Sequence, residues 1–298
     1  IDKGPLALLR DSVQGKVALT STDVAFRIAP RLNAAGRMED PMLALHAVLR
    51  GGEYIERLHQ LNRMRQDKTE ELIASARKEV ILEAPLVATA SKDYPHGIVG
   101  LIAGSLTEST GRPSIVAAMD GDHATASLRS PACYHMTEGL SRIQDLLTSY
   151  GGHAQAAGCS FSMRHWEEII ERLGADIADK VPPDALRPCV EVDAHIESAA
   201  VSLAFVASLQ DLEPFGQGNP EPRFLLRNVR AEHLRRVGNE GNHIQARIAG
   251  HKAVAFRMGE FFERLDGPLD IVCRVGVDDW NGKKGVQLFV EDARRIEN

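Results

Sequence analysis

The sequence is poor in the features that mark a metal-cluster, secreted or membrane protein. Its four cysteines, Cys133, Cys159, Cys189 and Cys273, are widely spaced and form no C-x-x-C pair. That argues against a thiolate zinc site and suits a reducing cytoplasm better than a disulfide framework. Each is read as a small core residue. No run of about 18 apolar residues occurs, so no membrane-spanning helix is expected. A basic-then-apolar leader is missing as well, and Ile1-Asp2-Lys3-Gly4-Pro5 contains no initiator Met, which reads as a piece of something longer. Positive charge is not in excess: 35 Lys/Arg stand against 41 Asp/Glu, a net charge of −6. This excludes a histone-like binder held by bulk charge, while leaving room for a local basic groove.

What is present is 298 residues, 44% of them apolar, enough for two ordinary domains with a sizeable core. Residues 1 to 50 read as irregular with short helical pieces. From Glu53 to about Glu83, Ile55, Leu58, Leu61, Met64, Leu72, Ile73, Ala76 and Val80 recur at helical spacing, which predicts one long connecting helix. Strands are then predicted over 86–91, 114–119, 124–129 and 157–161, with helices over 97–110, 136–147 and 164–178. This is an α/β domain on a mixed sheet. Val181-Pro182-Pro183-Asp184 marks a junction, followed by a strand near 189–196 and a helix over 199–212. From Phe224 onward short strands alternate with turns, as in Leu269-Ile271-Cys273-Val275. Further strands over 244–248, 253–256 and 285–290 suggest a small OB-like barrel. The expected division is therefore 1–52, a helix over 53–84, an α/β domain over 85–181, a linking strand and helix over 182–214, and a barrel over 215–298.

Five segments can carry chemistry. In Tyr150-Gly151-Gly152-His153, two glycines expose backbone N–H groups and can form an anion nest, with His153 adding a hydrogen bond or charge. Taken alone, the segment reads first as a glycine turn between a helix and a strand, with His153 merely exposed. Gly97, Gly100 and Gly104 fall on one helical stripe after His96; they predict close packing, with a phosphate-favouring helix start beside His96. In Ala126-Ser127-Leu128-Arg129, Ser127 and Arg129 share one strand face, a hydroxyl beside a guanidinium suited to a terminal phosphate. A solvated edge arginine fits those residues as well. Arg31, Asn33 and Arg37 in Pro30-Arg31-Leu32-Asn33-Ala34-Ala35-Gly36-Arg37 either hold backbone phosphates or brace a domain joint. Glu213-Pro214-Phe215-Gly216-Gln217-Gly218-Asn219-Pro220 is a rigid connector into the barrel.

These segments, in this order, resemble RecJ exonucleases of the DHH phosphoesterase superfamily, as does LDIVCRVGVDDWNGKKGVQLFVEDARRI near the end. The resemblance implies a DHH-associated domain over about 85–180 and an OB-like domain in the last third. It implies a 5′→3′ exonuclease acting on single-stranded DNA in repair and recombination, with Mn or Mg ions held by an amino-terminal DHH domain. Ser127 and Arg129 would form the 5′-phosphate pocket, joined by His96. Gly151, Gly152 and His153 would form the wall meeting substrate phosphates opposite the metals, with His153 as an assisting group. Arg31, Asn33 and Arg37 would line the strand's entrance. No Asp-His-His triplet occurs, since Asp122-His123 is followed by Ala124. The chain alone is therefore expected to bind no metal and to be inactive.

Residues 215–298 carry 14 Lys/Arg and 12 Asp/Glu, more basic than the rest. A single-strand groove there would use Arg235, Arg236, Arg247 and Lys252. Phe256 and Phe289 are read as core rather than stacking platforms, while Trp280, beside Asp279 and Asn281, is the candidate platform. Expected partners are single-stranded DNA and a single-strand-binding protein or helicase, with a monomer in the cytoplasm. The competing readings are a small-substrate phosphodiesterase of oligonucleotides or cyclic dinucleotides, and a catalytically dead RecJ-like replication scaffold.

Overall fold

The structure, a computed structural model, describes residues 4–14, 19–238, 241–259, 267–278 and 284–296. Two compact units divide the chain, one of Ile1–Leu19 and Asp23–Cys189, the other of Thr20–Thr22 and Val190–Asn298.

The chain begins with helices: α1 (Pro5–Gln14), the single turn α2 (Ser21–Asp23), whose Ser21 and Thr22 fall in the second unit, a π-helical turn at Val24–Ile28, α3 (Ala29–Met38) and α4 (Met42–Arg50). Most of this stretch is thus helical rather than irregular; its helices are too short to show a clear apolar period in sequence. Leu9, Ile28, Ala35 and Ala47 bury against Ile55 and Leu58 of α5 (Glu53–Glu79). Gly51 and Gly52, with φ of 71° and 60°, turn the chain into α5, a conformation costly for any residue with a Cβ. Acidic Glu53 and Glu56 open α5 and basic Arg77 and Lys78 close it, matching the helix dipole.

The α/β part follows as β1 (Val87–Ser91), α6 (Val99–Thr110), β2 (Ser114–Asp120), β3 (His123–Arg129), α7 (Met136–Arg142), β4 (Leu147–Gly152), β5 (Ala156–Ser162) and α8 (Trp166–Lys180). The strand order is β1-β2-β3-β5-β4, with β1 and β2 parallel and the rest antiparallel, the expected mixed sheet. One face buries Ala124, Ala126, Leu128, Cys159 and Phe161 together with Leu140, Ile169 and Leu173 from α7 and α8. On the other, Val116 and Ala118 of β2 bury under α6 with Ile102, Ala103 and Leu106.

Three expectations fail here. The helix after Met136 ends at Arg142, and Leu147–Gly152 is a strand. As an edge strand exposed beyond half-buried Leu147, β4 shows little of the apolar alternation that reveals strands in sequence. Gly97 lies in the turn before α6 rather than inside it. Cys133 and Cys189 are exposed and only Cys159 and Cys273 are core residues.

The second unit contains β6 (Ala194–His195), α9 (Leu203–Gln210), β7 (Phe224–Val229), β8 (Ala231–Val237), β9 (His243–Ile248), β10 (His251–Ala255), β11 (Leu269–Asp278) and β12 (Gly285–Arg295). Their order is β6-β7-β11-β12-β10-β9-β8. β7 and β8 are consecutive, separated by Arg230 alone, so they act as two halves of one bent strand reaching both sides of the sheet. That is the OB-like order expected, although among the described residues no ladder joins the two ends. Phe224, Leu226, Ile248, Leu269, Ile271, Cys273 and Leu288 fill its core. Around 189–196 only Ala194–His195 pairs as strand, and the helix near 199–212 is confined to Leu203–Gln210, capped by Ser202 Oγ accepting from the Phe205 N–H at 3.2 Å.

Candidate nucleic-acid interface

Strand alternation sets out the first site. Thr125, Ser127 and Arg129 point away from the core buried by Ala124, Ala126 and Leu128. Register extends that face sideways: Val116, Ser127, Gly158 and Gly151 form one row across β2, β3, β5 and β4. Ala118, Thr125, Ser160 and Ser149 form the next. Helix α6 covers the apolar start of each row, and the rest lies open. At the seam stands Gly100, where a Cβ would lie 3.1 Å from Arg129 Nη2 and 3.2 Å from Ser127 Oγ. The missing side chain leaves room for the serine–arginine couple.

Charge gathers at this seam. Arg37 Nη1 donates to the Gly97 carbonyl at 2.9 Å. A Cβ at Gly97 would sit 2.1 Å from the Arg37 carbonyl oxygen, so only glycine permits the approach. Burial first, and the Arg37 charge second, hold the Arg129 guanidinium below its ordinary range. The same two causes act on Arg65 of α5. Three guanidinium groups therefore share one region, and among the described residues no ion pair is found for any of them. Arg65 Nη2 donates to Asn62 Oδ1 at 3.0 Å, yet its Nε is buried without a partner. Half-buried positive charge that no described carboxylate pairs with is a requirement that an anion would satisfy.

The glycine pair has divided roles. Both residues are ladder members opposite β5, so they form a strand end and not the expected anion nest. Gly152, at φ 140°, has no space for a Cβ, which would meet the Ala156 carbonyl oxygen at 2.5 Å. At Gly151 a Cβ would enter open space. His153 donates its backbone N–H to Ala156, the register partner of Arg129, and its carbonyl accepts from Thr137 Oγ1, both at 2.8 Å. The sheet thus sets Ser127, Arg129, Gly151, Gly152 and His153 on adjoining rows. His96 is exposed in the turn leading to α6.

Arg31 is placed differently. Its Nε donates to His59 Nδ1 at 2.9 Å, and its Nη1 reaches the Arg27 carbonyl. Burial and the Arg31 charge push the His59 imidazole below its usual value. Arg31 braces α3 against α5, the alternative its sequence left open, while Asn33 is exposed. Sequence reasoning missed Arg65; no linear signal ties it to Arg37, because their proximity arises from α3 packing on α5.

In the second unit, His233, Arg235, Gln245, Arg247 and Lys252 line a groove of about 390 Å³ on β8, β9 and β10. Arg235 Nε donates to Gln245 Oε1 at 3.1 Å, and Lys252 pairs with Asp278 at 2.8 Å, whereas Arg247 is exposed. Arg236, on the same strand, is exposed as well. Phe256, read as core, is 59% exposed with its ring 5.3 Å from His243, because β10 ends at Ala255 and the chain turns outward there. Phe289 is half-buried beneath Arg274, and Trp280 lies outside the described residues.

Comparison with known proteins agrees with both units. Residues 83–179 match the DHHA1 domain family and residues 192–292 match the RecJ OB domain family. The crystal structure of RecJ in complex with Mn2+ from Thermus thermophilus superposes with a TM-score of 0.82 at 30% identity, over 99% of this chain and 44% of that one. The chain belongs to the RecJ family. Single-stranded-DNA-specific exonuclease RecJ of Bacillus subtilis is 29% identical over 91% of this chain, and that of Thermus thermophilus 31% identical over 93%. The chain spans only 36% and 41% of these two relatives' lengths. A second Thermus RecJ structure holds Mg2+, so divalent metals belong to the family. Among the described residues, no three His, Cys, Asp or Glu side chains converge to hold a metal ion, and no hydrolytic step is assigned to them. Nor is any described helix long and apolar enough to cross a membrane.

Proposed function

We propose that this chain is the strand-gripping part of a cytoplasmic 5′→3′ single-stranded-DNA exonuclease of repair and recombination. Ser127 and Arg129, backed by Arg37 and Arg65, take the 5′-terminal phosphate. The observation that carries this reading is the opening at Gly100, which admits a hydroxyl and a guanidinium to a region of positive charge that no carboxylate pairs with among the described residues. A terminal phosphomonoester, with a charge of about −1.5 to −2, answers that excess better than an internal diester. His153 and His96 assist at the phosphate, and Asn33 lies along the strand's path. The groove of Arg235, Arg247 and Lys252, with Arg236 beside it, tracks the backbone sequence-independently. Phe256 offers a base a stacking face.

Hydrolysis by Mn or Mg is assigned to residues other than those described, so the chain alone binds strands and leaves them intact. It works as a monomer, with a single-strand-binding protein or helicase supplying the strand. Fluorescence anisotropy with matched oligonucleotides tests the phosphate assignment. The chain should bind a 5′-phosphate strand more tightly than its 5′-hydroxyl counterpart, and Arg129→Ala should erase the difference. Equal affinity of the unsubstituted chain for both strands would remove the assignment.

A further inference from the structure

We infer that the open end of β11 docks an extended segment of a partner protein in which apolar and basic residues alternate. The segment adds a strand to the sheet of the second unit. This surface is separate from the phosphate site and from the basic groove on β8, β9 and β10.

The edge arises from where β7 begins. Strand β7 pairs with β11 only from Phe224, opposite Cys273. It starts no earlier because Pro222 has no N–H to offer. Arg223, for its part, gives its N–H to Asp193 Oδ2 and its carbonyl to the Asp193 N–H, both at 2.9 Å. Val275, Gly276 and Val277 of β11 are therefore paired with β12 on one side, and among the described residues no strand pairs with them on the other. A strand edge presents N–H and C=O groups at a spacing that another extended polypeptide backbone matches.

That edge floors a groove of about 250 Å³ walled by Val206 and Leu209 of α9 and by Phe215 and Pro222. The far wall is the segment whose sequence reads as a rigid connector. Gly216 and Asn219 exchange backbone hydrogen bonds at 2.8 and 3.1 Å, and Asn219 Nδ2 donates to the Leu212 and Pro214 carbonyls at 2.9 and 3.1 Å. These bonds set the wall in advance, so little ordering opposes binding. Val277, an apolar side chain on the groove's floor, is left 38% exposed. Apolar residues at alternate positions of an added strand would reach these walls.

Charge selects the other half of the partner's residues. Glu213 and Glu221 line the groove, and no Lys, Arg or His does. Arg274 pairs with Glu221, whereas Glu213 is exposed and no ion pair is found for it among the described residues. A basic side chain answers Glu213, while a nucleic-acid phosphate or an acidic tail is repelled. A second copy of this chain, paired edge to edge, would bring two such carboxylates to one seam.

The test is fluorescence anisotropy with a labelled octapeptide of alternating valine and lysine. The chain should bind it at least about 10-fold more tightly than an octapeptide of alternating valine and glutamate. Glu213→Lys should weaken the lysine peptide about 5- to 10-fold without lowering the melting temperature, since Glu213 is exposed. Saturating lysine peptide should also slow amide hydrogen exchange across Val275–Val277 while leaving His233–Lys252 unchanged. Four results would each overturn the inference: equal binding of the two peptides, no effect of Glu213→Lys, unchanged exchange at Val275–Val277, or displacement of the peptide by oligothymidylate. A chain that sediments as a dimer and dissociates on adding the peptide would overturn it too, by making a second copy the occupant.

Discussion

Replacing Gly100 with alanine adds one methyl group at the seam between α6 and β3, and its two effects should have opposite signs. Alanine is the better helix former by up to about 1 kcal/mol, which for a domain of this size raises the melting temperature by roughly 2–4 °C. The methyl carbon would lie 3.1 Å from Arg129 Nη2 and 3.2 Å from Ser127 Oγ. Those distances are shorter than the ~3.5–4.0 Å of comfortable contact. Both neighbours are side-chain ends and move aside, so the fold survives while the couple is displaced. Losing one charge-assisted hydrogen bond to a phosphate costs about 1.5–3 kcal/mol, or roughly 10- to 100-fold in affinity. Calorimetry and anisotropy on the same preparation read both effects. An unchanged affinity for 5′-phosphorylated strands, or an equal loss for 5′-hydroxyl strands, would refute the assignment of Gly100 as the space-maker for a phosphate clamp.

Gly97→Ala should be far more damaging, because its Cβ would meet backbone atoms of Arg37 at 2.1–2.8 Å, which cannot yield without moving α3; urea unfolding should record a loss above about 3 kcal/mol. Binding of unphosphorylated single strands should weaken with salt, each phosphate contact contributing about 0.7 to the logarithmic slope. Arg247→Ala should remove one such contact, and Lys252→Ala less, since Lys252 is already paired with Asp278; equal slopes for the two variants would contradict this. In the native state Cys133 and Cys189 should react with an alkylating reagent while Cys159 and Cys273 stay protected, counted by mass spectrometry. Burial pushes both protected thiols up to about 12, from 9.0 in the exposed state. The unfolded chain therefore releases these protons first, and stability should fall as pH rises from 9 toward 12. A flat profile in the unsubstituted chain, or an equal fall in Cys159→Ala and Cys273→Ala, would remove this cause.

Much of the architecture is legible in sequence because burial writes it there. The α5 helix shows its apolar face through Ile55, Leu58, Leu61 and Leu72, and β11 shows its period of two through Leu269, Ile271, Cys273 and Val275. Strand β4 is not legible, since beyond half-buried Leu147 this edge strand is exposed on both faces and carries no burial alternation. Its loss hid the true setting of Gly151, which is a strand position paired with Gly158 and not part of a turn. Ser127 and Arg129 could be paired from strand alternation alone. Arg65 could not be added to them, because it lies far from Arg129 along the chain and only the packing of α3 on α5 joins the group. Likewise the exposure of Phe256 depends on where β10 ends, a boundary that local propensity does not fix.

The central claim is that the end of a nucleic-acid strand docks at the seam of α6 and β3, and a crystal structure of the chain with a 5′-phosphorylated tetranucleotide tests it most directly. The terminal phosphate should lie within hydrogen-bonding distance of Ser127 Oγ and the Arg129 guanidinium. A strand ordered elsewhere on the first unit, with that seam filled by water, would contradict it.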